Sequence, residues 1–353
     1  MSLAFGIFDH QERRPDVPLD RQYEERLQLI AEADRLGFWG YHLTEHHQTP
    51  LCVAPSQSLF LAAAAQRTSR IRLGALVYLL PMYHPVRLIE EICMLDNLTG
   101  GRLEVGVGKG ISPLEHTFWG LEPGDARARF DETLEILVKG LTHDRLTHAG
   151  RFFRFDDLPM ELAPKQRPYP PLWYAGNVET AARHGMSFVG PGTVARFPKI
   201  VARYRELWKE ARASGSGLNP HVDDPRIGSV RHFFVADTDV EAERRGRQAW
   251  TAYHRNYVKR GHDEPALPSA PVQGARPPIG ASLGGDYDLA RHVEACVTGS
   301  PETVTAFVRR YEAESGSNYC VGAFHWGDMT HDEALRSLRL FAEAAHLGTV
   351  ECE

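Results

Sequence analysis

The chain is poor in cysteine, poor in long apolar runs and poor in charge of one sign. Each shortage removes a class of protein. Its five cysteines, Cys52, Cys93, Cys296, Cys320 and Cys352, stand far apart with no Cys-x-x-Cys pair among them. That spacing builds neither a zinc knuckle nor a disulfide framework, and it fits a reducing cytoplasm. No stretch reaches the roughly 18 consecutive apolar residues of a membrane helix. The opening Met1-Ser2-Leu3-Ala4-Phe5 carries no basic leader ahead of its apolar residues, so neither export nor a membrane span is expected. Lysine and arginine number 40 against 46 acidic residues, a formal charge of -6, and the basic cluster Arg244, Arg245 and Arg247 is interleaved with Glu241 and Glu243. This is the pattern of a solvated helix face, not of a nucleic-acid footprint. Gly-x-Gly-x-x-Gly after a strand is missing as well, which removes the usual dinucleotide fingerprint.

What is present is a rhythm of short β-rich runs and helical patterns, the mark of a parallel sheet built from βα units. Strands are expected at 4–8, 39–43, 71–77, 103–107, 172–175, 187–189, 227–235 and 319–324, eight in all. Helices are expected at 20–36, 58–68, 85–98, up to Thr142, and at 179–184, 199–214, 240–259, 301–315 and 331–346, with a hairpin insert at 148–162. Apolar spacing supports the first helix (Leu27, Ile30, Ala31, Leu36), with Gly37 at its end, and Pro85 opens another. Eight such units close a (β/α)₈ barrel, read here as one domain over residues 1–353. The stretch 261–285 holds five prolines and five glycines and breaks the rhythm. It reads as a long loop, and in a barrel such loops lie over the C-terminal strand ends as lids.

Barrel enzymes carry their chemistry just after the strands. Thr44-Glu45-His46-His47 follows the second strand, where histidine is the side chain suited to proton transfer near neutral pH. The same four residues also suit a polar surface turn or a metal pair. Val107-Gly108-Lys109-Gly110 follows the fourth strand and offers backbone amides beside a cation, as an anion site does. It is not a P-loop, since Leu103 stands where the first glycine belongs and Gly110 where Ser or Thr does. Ala175-Gly176-Asn177, with Thr180 in the following turn, fits a phosphate at a helix start and equally a plain Asn177 N-cap. Arg127 alone reads as well as a surface ion pair.

The order and spacing of Leu36-Gly37-Phe38, Glu45-His46-His47, Val53-Ala54-Pro55-Ser56, Thr68-Ser69-Arg70-Ile71-Arg72-Leu73-Gly74, Leu80-Pro81, His84-Pro85-Val86-Arg87, Leu95-Asp96, Gly100-Gly101-Arg102-Leu103 and Gly106-Val107-Gly108 are specific. With them, and with a final run from Phe324 through Met329 and Ala334 to Phe341, the chain resembles the bacterial-luciferase-like flavin monooxygenases over nearly its whole length. The resemblance implies a luciferase-like barrel that uses reduced FMN and O2 to oxygenate a small organic substrate through a flavin hydroperoxide. It implies that His46 lies beside the flavin and that Glu45 supports His46. It implies that Lys109, Arg127, Asn177 and Thr180, with the adjoining Gly108, Ala175 and Gly176, bind the phosphate. It implies that a non-proline cis peptide, here Leu76-Val77, lies under the ring. A loop at 261–285 would keep water out. Two departures stand out: Lys109 replaces the arginine frequent in the family, a point charge in place of a fork, and the loop 176–180 is shorter than in luciferase.

The lack of a dinucleotide fingerprint implies that a separate flavin reductase supplies the reduced FMN. Two other readings share the resemblance: a dehydrogenase using the deazaflavin coenzyme, and a non-catalytic flavin-binding partner subunit. Phe5, Phe8, Tyr78, Tyr83, Trp119, Trp173 and Trp326 suit either an apolar substrate pocket or core packing. The choice among aldehyde, sulfonate, ketone and heterocycle stays open. A homodimer is expected, with the helices at 58–66 and 85–98 as the candidate faces.

Overall fold

The computed structural model describes residues 3–258 and 285–348. The lid expected over 261–285 therefore lies, apart from Gly285, outside the described residues. The described chain runs β1 (Ala4–Asp9), α1 (Leu19–Arg35), β2 (Gly40–Leu43), α2 (Gln57–Ala65), β3 (Arg72–Leu79), α3 (Pro85–Leu98), β4 (Leu103–Gly108), α4 (Pro113–Phe118) and α5 (Ala126–Thr142). It continues through β5 (Arg145–Ala149), β6 (Arg154–Pro159), β7 (Leu172–Ala175), α6 (Val178–Arg183), β8 (Ser187–Gly190), α7 (Phe197–Ser214), β9 (Ile227–Val235) and α8 (Asp239–Val258). The last elements are α9 (Tyr287–His292), β10 (Cys296–Gly299), α10 (Pro301–Glu314), β11 (Tyr319–Ala323) and α11 (His331–Ala344).

All eight expected strands pair in parallel, in the ring β1-β2-β3-β4-β7-β8-β9-β11. Pairing of Val189 with Gly228 and of Ala4 with Tyr319 closes the barrel. These strands are buried along most of their length, because one face meets the lumen and the other the helices. The expected hairpin forms from β5 and β6, starting at Arg145 and ending at Pro159. A ninth parallel strand, β10, was not expected. His232 of β9 pairs with Ala323 on one side and Cys296 on the other, so β10 continues the wall beyond β8. Its sequence, Cys-Val-Thr-Gly, is too short to show a period.

Helix packing follows apolar spacing. In α3, Leu88, Ile89, Ile92 and Leu95 are fully buried, and the Asp96 carboxylate accepts from the Gln166 backbone at 2.7 Å. Asp34, at the end of α1, accepts from the backbone N–H groups of Ser69, Arg70 and Ile71 and so fixes the entry to β3. The lower lumen is filled by Trp173, Leu76, Tyr319, Val321 and Val189. There His42 bonds Tyr319 Oη at 2.7 Å, and burial holds the His42 imidazole neutral, its pKa pushed down to about 3. The barrel is thus plugged from below, which leaves its C-terminal mouth for chemistry.

Candidate active site

Residues 44–47 leave β2 extended, so alternate side chains share a direction. Glu45 and His47 therefore pair, with His47 Nε2 and Glu45 Oε1 at 2.8 Å. The other oxygen, Oε2, accepts from the Leu79 backbone at 3.0 Å and from Tyr83 Oη at 3.1 Å. This corrects one expectation: Glu45 buttresses His47 and the end of β3, and His46 points away from it. His46 instead meets Glu115, whose Oε1 lies 3.3 Å from His46 Nδ1 and accepts from the His47 backbone at 3.0 Å. Glu115 sits in the first turn of α4, where Ser112 caps its own N–H. Burial pushes the Glu115 carboxyl up, but the hydrogen bond and charge of His46 and the His47 contacts outweigh it and hold the group below the usual carboxylate range. Among the described residues no group of three or more His, Cys, Asp or Glu side chains is placed to hold a metal ion.

His10, at the exit of β1, stacks on His46 with ring centroids 5.8 Å apart. Burial, followed by the nearby His46, His232 and Arg26, keeps the His10 pKa well below its ordinary value. Tyr253 of α8 lies 5.9 Å from His10 and 4.4 Å from His232, and Trp326 lies 5.2 Å from His232. His232 is likewise kept neutral by burial, its pKa pushed down to about 3. Of the aromatic residues singled out in the sequence, Phe8 joins this group by packing on His10, and Trp326 belongs to it. Trp119 packs on His47, and Tyr83 is bound to Glu45. Phe5 packs outward on Phe341, Tyr78 reaches Ser58 of α2, and Trp173 belongs to the lower lumen. Those three are core.

Beside Glu45, the β3–β4 register slips. Ala75 faces Val105 and Tyr78 faces Val107, so Leu76 and Val77 bulge opposite Gly106 alone, and the Leu76-Val77 peptide is cis. The glycines are required here. A Cβ on Gly106 would lie 2.4 Å from the Ala75 carbonyl oxygen, and one on Gly108 would lie 2.5 Å from Val77 Cγ2. Gln57 donates to the Val77 carbonyl at 3.0 Å and holds the bulge from behind. Gly108, read from sequence as exposing amides, is thus also the seat of Val77.

Val107 pairs with Tyr174, which sets the exits of β4 and β7 side by side. Lys109 is exposed there, its Nζ 3.5 Å from the Gly110 carbonyl. Arg127 opens α5, bonds Asp131 at 2.8 Å, and lies close enough to Tyr174 and His184 to influence both. Beyond Ala175, Gly176 takes a left-handed φ of 92° with open space where a Cβ would stand. The Asn177 side chain accepts from the Thr180 N–H at 2.8 Å, so the plain N-cap reading is realised. Two cations and an open glycine turn at adjoining strand ends suit a phosphate. Sequence reading missed Glu115, His10, His232 and Tyr253, which meet only through the fold.

The geometry is that of a (β/α)₈ barrel enzyme whose mouth carries two histidine–carboxylate contacts beside a bulged third strand. The chain belongs to the luciferase-like monooxygenase family, whose model matches residues 3–318. It is 36% identical over 339 residues to the uncharacterized protein y4wF of Sinorhizobium fredii, covering 94% of this chain and 93% of that one. It is 28% identical to limonene 1,2-monooxygenase of Rhodococcus erythropolis, covering 97% and 85%. It is 28% identical to the oxygenase component of the flavin-dependent trigonelline monooxygenase of Acinetobacter baylyi, covering 68% and 67%. The crystal structure of monooxygenase RslO1 from Streptomyces bottropensis superposes with a TM-score of 0.80 at 28% identity, over 97% of this chain and 98% of that one. The FMN complex of the oxygenating constituent of 3,6-diketocamphane monooxygenase from Pseudomonas putida shares the fold, with a TM-score of 0.72 at 21% identity and 97% of each chain covered.

Proposed function

We propose that the chain is the oxygenase of a two-component FMN monooxygenase, fed reduced FMN by a separate reductase and acting with O2 on a small, apolar organic substrate. The observation that carries this reading is the setting of His46, gripped by Glu115 at the exit of β2, the strand that pairs with the bulged β3. Bound reduced FMN supplies the two electrons that activate O2, so that one oxygen atom enters the substrate and the other leaves as water. The protein positions and shields. Lys109, Arg127, the amides of Asn177, Val178 and Glu179 and the Thr180 hydroxyl, after Ala175 and Gly176 and beside Gly108, hold the phosphate. Leu76 and Val77 support the ring, and His46 holds or passes a proton at Nε2 while Nδ1 stays with Glu115. His10, His232, Tyr253 and Trp326 offer a desolvated, mostly apolar wall for the substrate. The names of the limonene and trigonelline relatives support a small organic substrate and, through the words "oxygenase component", the reductase.

A homodimer through α2 and α3 is part of this reading, supported by Leu59, Met94 and Leu98, which are exposed on those helices. A reducing cytoplasm is supported by four buried free thiols, Cys52, Cys93, Cys296 and Cys320. No helix among the described residues is long and apolar enough to cross a membrane.

The test is equilibrium binding of reduced FMN against the reduced deazaflavin coenzyme, followed by ¹⁸O₂ turnover on a panel of apolar alkenes and ketones with a general flavin reductase. Preference for FMN and one ¹⁸O per product molecule are expected, with the yield lost in His46→Ala. Preference for the deazaflavin would replace the reading with a dehydrogenase, and absence of binding to either would replace it with a non-catalytic subunit.

A further inference from the structure

Glu115 carries no motif, and 69 positions separate it from His46, yet it makes the hydrogen bond on that ring. A carboxylate held below its ordinary pKa is ionised at neutral pH and can only accept. The proton in the 3.3 Å contact therefore belongs to His46 Nδ1. We infer that Glu115 is the positioning residue of His46: it fixes the ring with Nδ1 protonated and leaves Nε2 as the nitrogen able to take or return a proton. This rests on the function proposed above for the use made of Nε2, but the arrangement itself does not depend on that reading.

Three further contacts make the hold a rigid one. The same Oε1 accepts from the His47 backbone N–H, which fixes the peptide that follows His46. The Ser112 hydroxyl caps the Glu115 N–H, and Trp119, one residue past α4, packs on the His47 ring at 4.4 Å. The segment bearing Glu115 is thus docked onto the segment bearing His46 at several points. The second carboxylate oxygen, Oε2, is buried without a hydrogen-bond partner, so the His46 ring N–H and the His47 backbone N–H, both on Oε1, are the donors that hold this carboxylate. On the other side the neutral His10 ring stacks on His46 and offers no second carboxylate to compete for its proton. The neighbouring pair repeats the logic in another geometry, with His47 held through Nε2 by Glu45. Each histidine of the His46-His47 pair has its own carboxylate, and the two carboxylates select opposite ring nitrogens.

The experiment uses the full chain labelled with ¹⁵N-histidine and free of FMN, with His46 assigned by difference against His46→Gln. Long-range ¹H–¹⁵N spectra at a pH where imidazoles are neutral report which nitrogen carries the proton. The wild type is expected to show Nδ1–H at His46, and Glu115→Gln is expected to keep it, because the amide oxygen still accepts. Glu115→Ala should lose the preference while its circular dichroism stays that of the wild type. In turnover with FMN, Glu115→Ala should lower kcat by about tenfold to a hundredfold with KM changed much less, and Glu115→Gln should recover most of it. A wild-type His46 protonated at Nε2, or an Ala variant with the wild-type tautomer, would overturn the inference. An Nδ1–H tautomer in a chain that binds no flavin would sink the proposed function and leave the positioning role standing.

Discussion

The carboxylate of Glu45 accepts a hydrogen bond from the backbone N–H of Leu79 at 3.0 Å, and through it the exit of β2 is tied to the exit of β3. Three donors converge on this one buried group: Leu79 N–H, Tyr83 Oη and His47 Nε2. Glu45→Ala leaves the Leu79 N–H and the His47 ring without this acceptor, while Tyr83 keeps the Gln57 side chain at 3.3 Å, and we expect a loss of about 3 kcal/mol of stability in urea unfolding. Glu45→Gln retains an acceptor oxygen and should cost about half as much. An Ala variant within about 0.5 kcal/mol of the wild type would show that the group does not tie the strands.

The bulge in β3 predicts a pair of substitutions that do not add. Gly108→Ala places its methyl 2.5 Å from Val77 Cγ2, an atom that Val77→Ala removes. The single Gly108→Ala variant should lose about 2 kcal/mol, and the double variant should lose clearly less than the sum of the two singles. Gly106→Ala has no such rescue, because its methyl meets the backbone carbonyl of Ala75 at 2.4 Å. Additive energies in the Gly108 and Val77 cycle would refute the contact.

These two cases show what could be read from the sequence and what could not. Periodicity and turn residues located the eight barrel strands, and Pro85 and the apolar spacing after it fixed α3 to the residue. The Glu45-His46-His47 run was visible as chemistry, but its wiring was not. Which carboxylate holds which histidine depends on the alternation of an extended exit segment and on a helix that arrives 69 residues later. A propensity argument sees neither a six-residue helix such as α4 nor a four-residue strand such as β10. Gly106 and Gly108 were legible as a motif, while their reason, the bulge against them, exists only once β3 and β4 pair.

Stability should fall as pH rises through the range in which Glu12 titrates. Burial, opposed by hydrogen bonds from Asn256 and Gly327, raises its pKa from 4.5 to about 7. Below the ordinary carboxylate pKa both folded and unfolded chains hold the proton, and stability is complete. Between that value and about 7 the unfolded chain has released its proton while the folded chain retains it, so stability drops by up to about 3 kcal/mol. Glu12→Gln removes the titration, and its unfolding midpoint should be flatter across the same range. A wild type whose stability rises steadily from pH 5 to pH 7.5 relative to Glu12→Gln would contradict the assignment.

The phosphate assignment separates FMN from riboflavin. If Lys109 and Arg127 meet the phosphate, Lys109→Ala and Arg127→Ala should each weaken FMN binding by about tenfold, or about 1.4 kcal/mol, and leave riboflavin binding unchanged. Lys109→Arg should tighten FMN by supplying a two-pronged donor in place of a point charge. Arg127 is already paired with Asp131 at 2.8 Å, so Asp131→Ala should also tighten FMN by freeing the guanidinium. Equal losses for FMN and riboflavin would remove the phosphate from these residues.

The exposed apolar side chains give the last test. Leu59 is 75% exposed, Met94 56% and Leu98 49%, and Leu98 and Met94 border a groove of about 430 Å³ that Leu162 and Ala163 complete. Cys93 lies on the floor of that groove, its thiol bonded to the Leu162 carbonyl, so the loop at 162–163 is fixed to α3 and the groove is preformed. A second copy using the same faces would cover Leu59, Met94 and Leu98 on each partner, and a two-fold arrangement doubles every such contact. Met94→Glu then buries two carboxylates for each dimer, a cost of several kcal/mol that a standard interface does not absorb. Light scattering at micromolar concentration should therefore give twice the chain mass for the wild type and a single chain mass for Met94→Glu, with unchanged circular dichroism. A monomeric wild type, or a Met94→Glu variant that remains dimeric, would move the interface off α2 and α3.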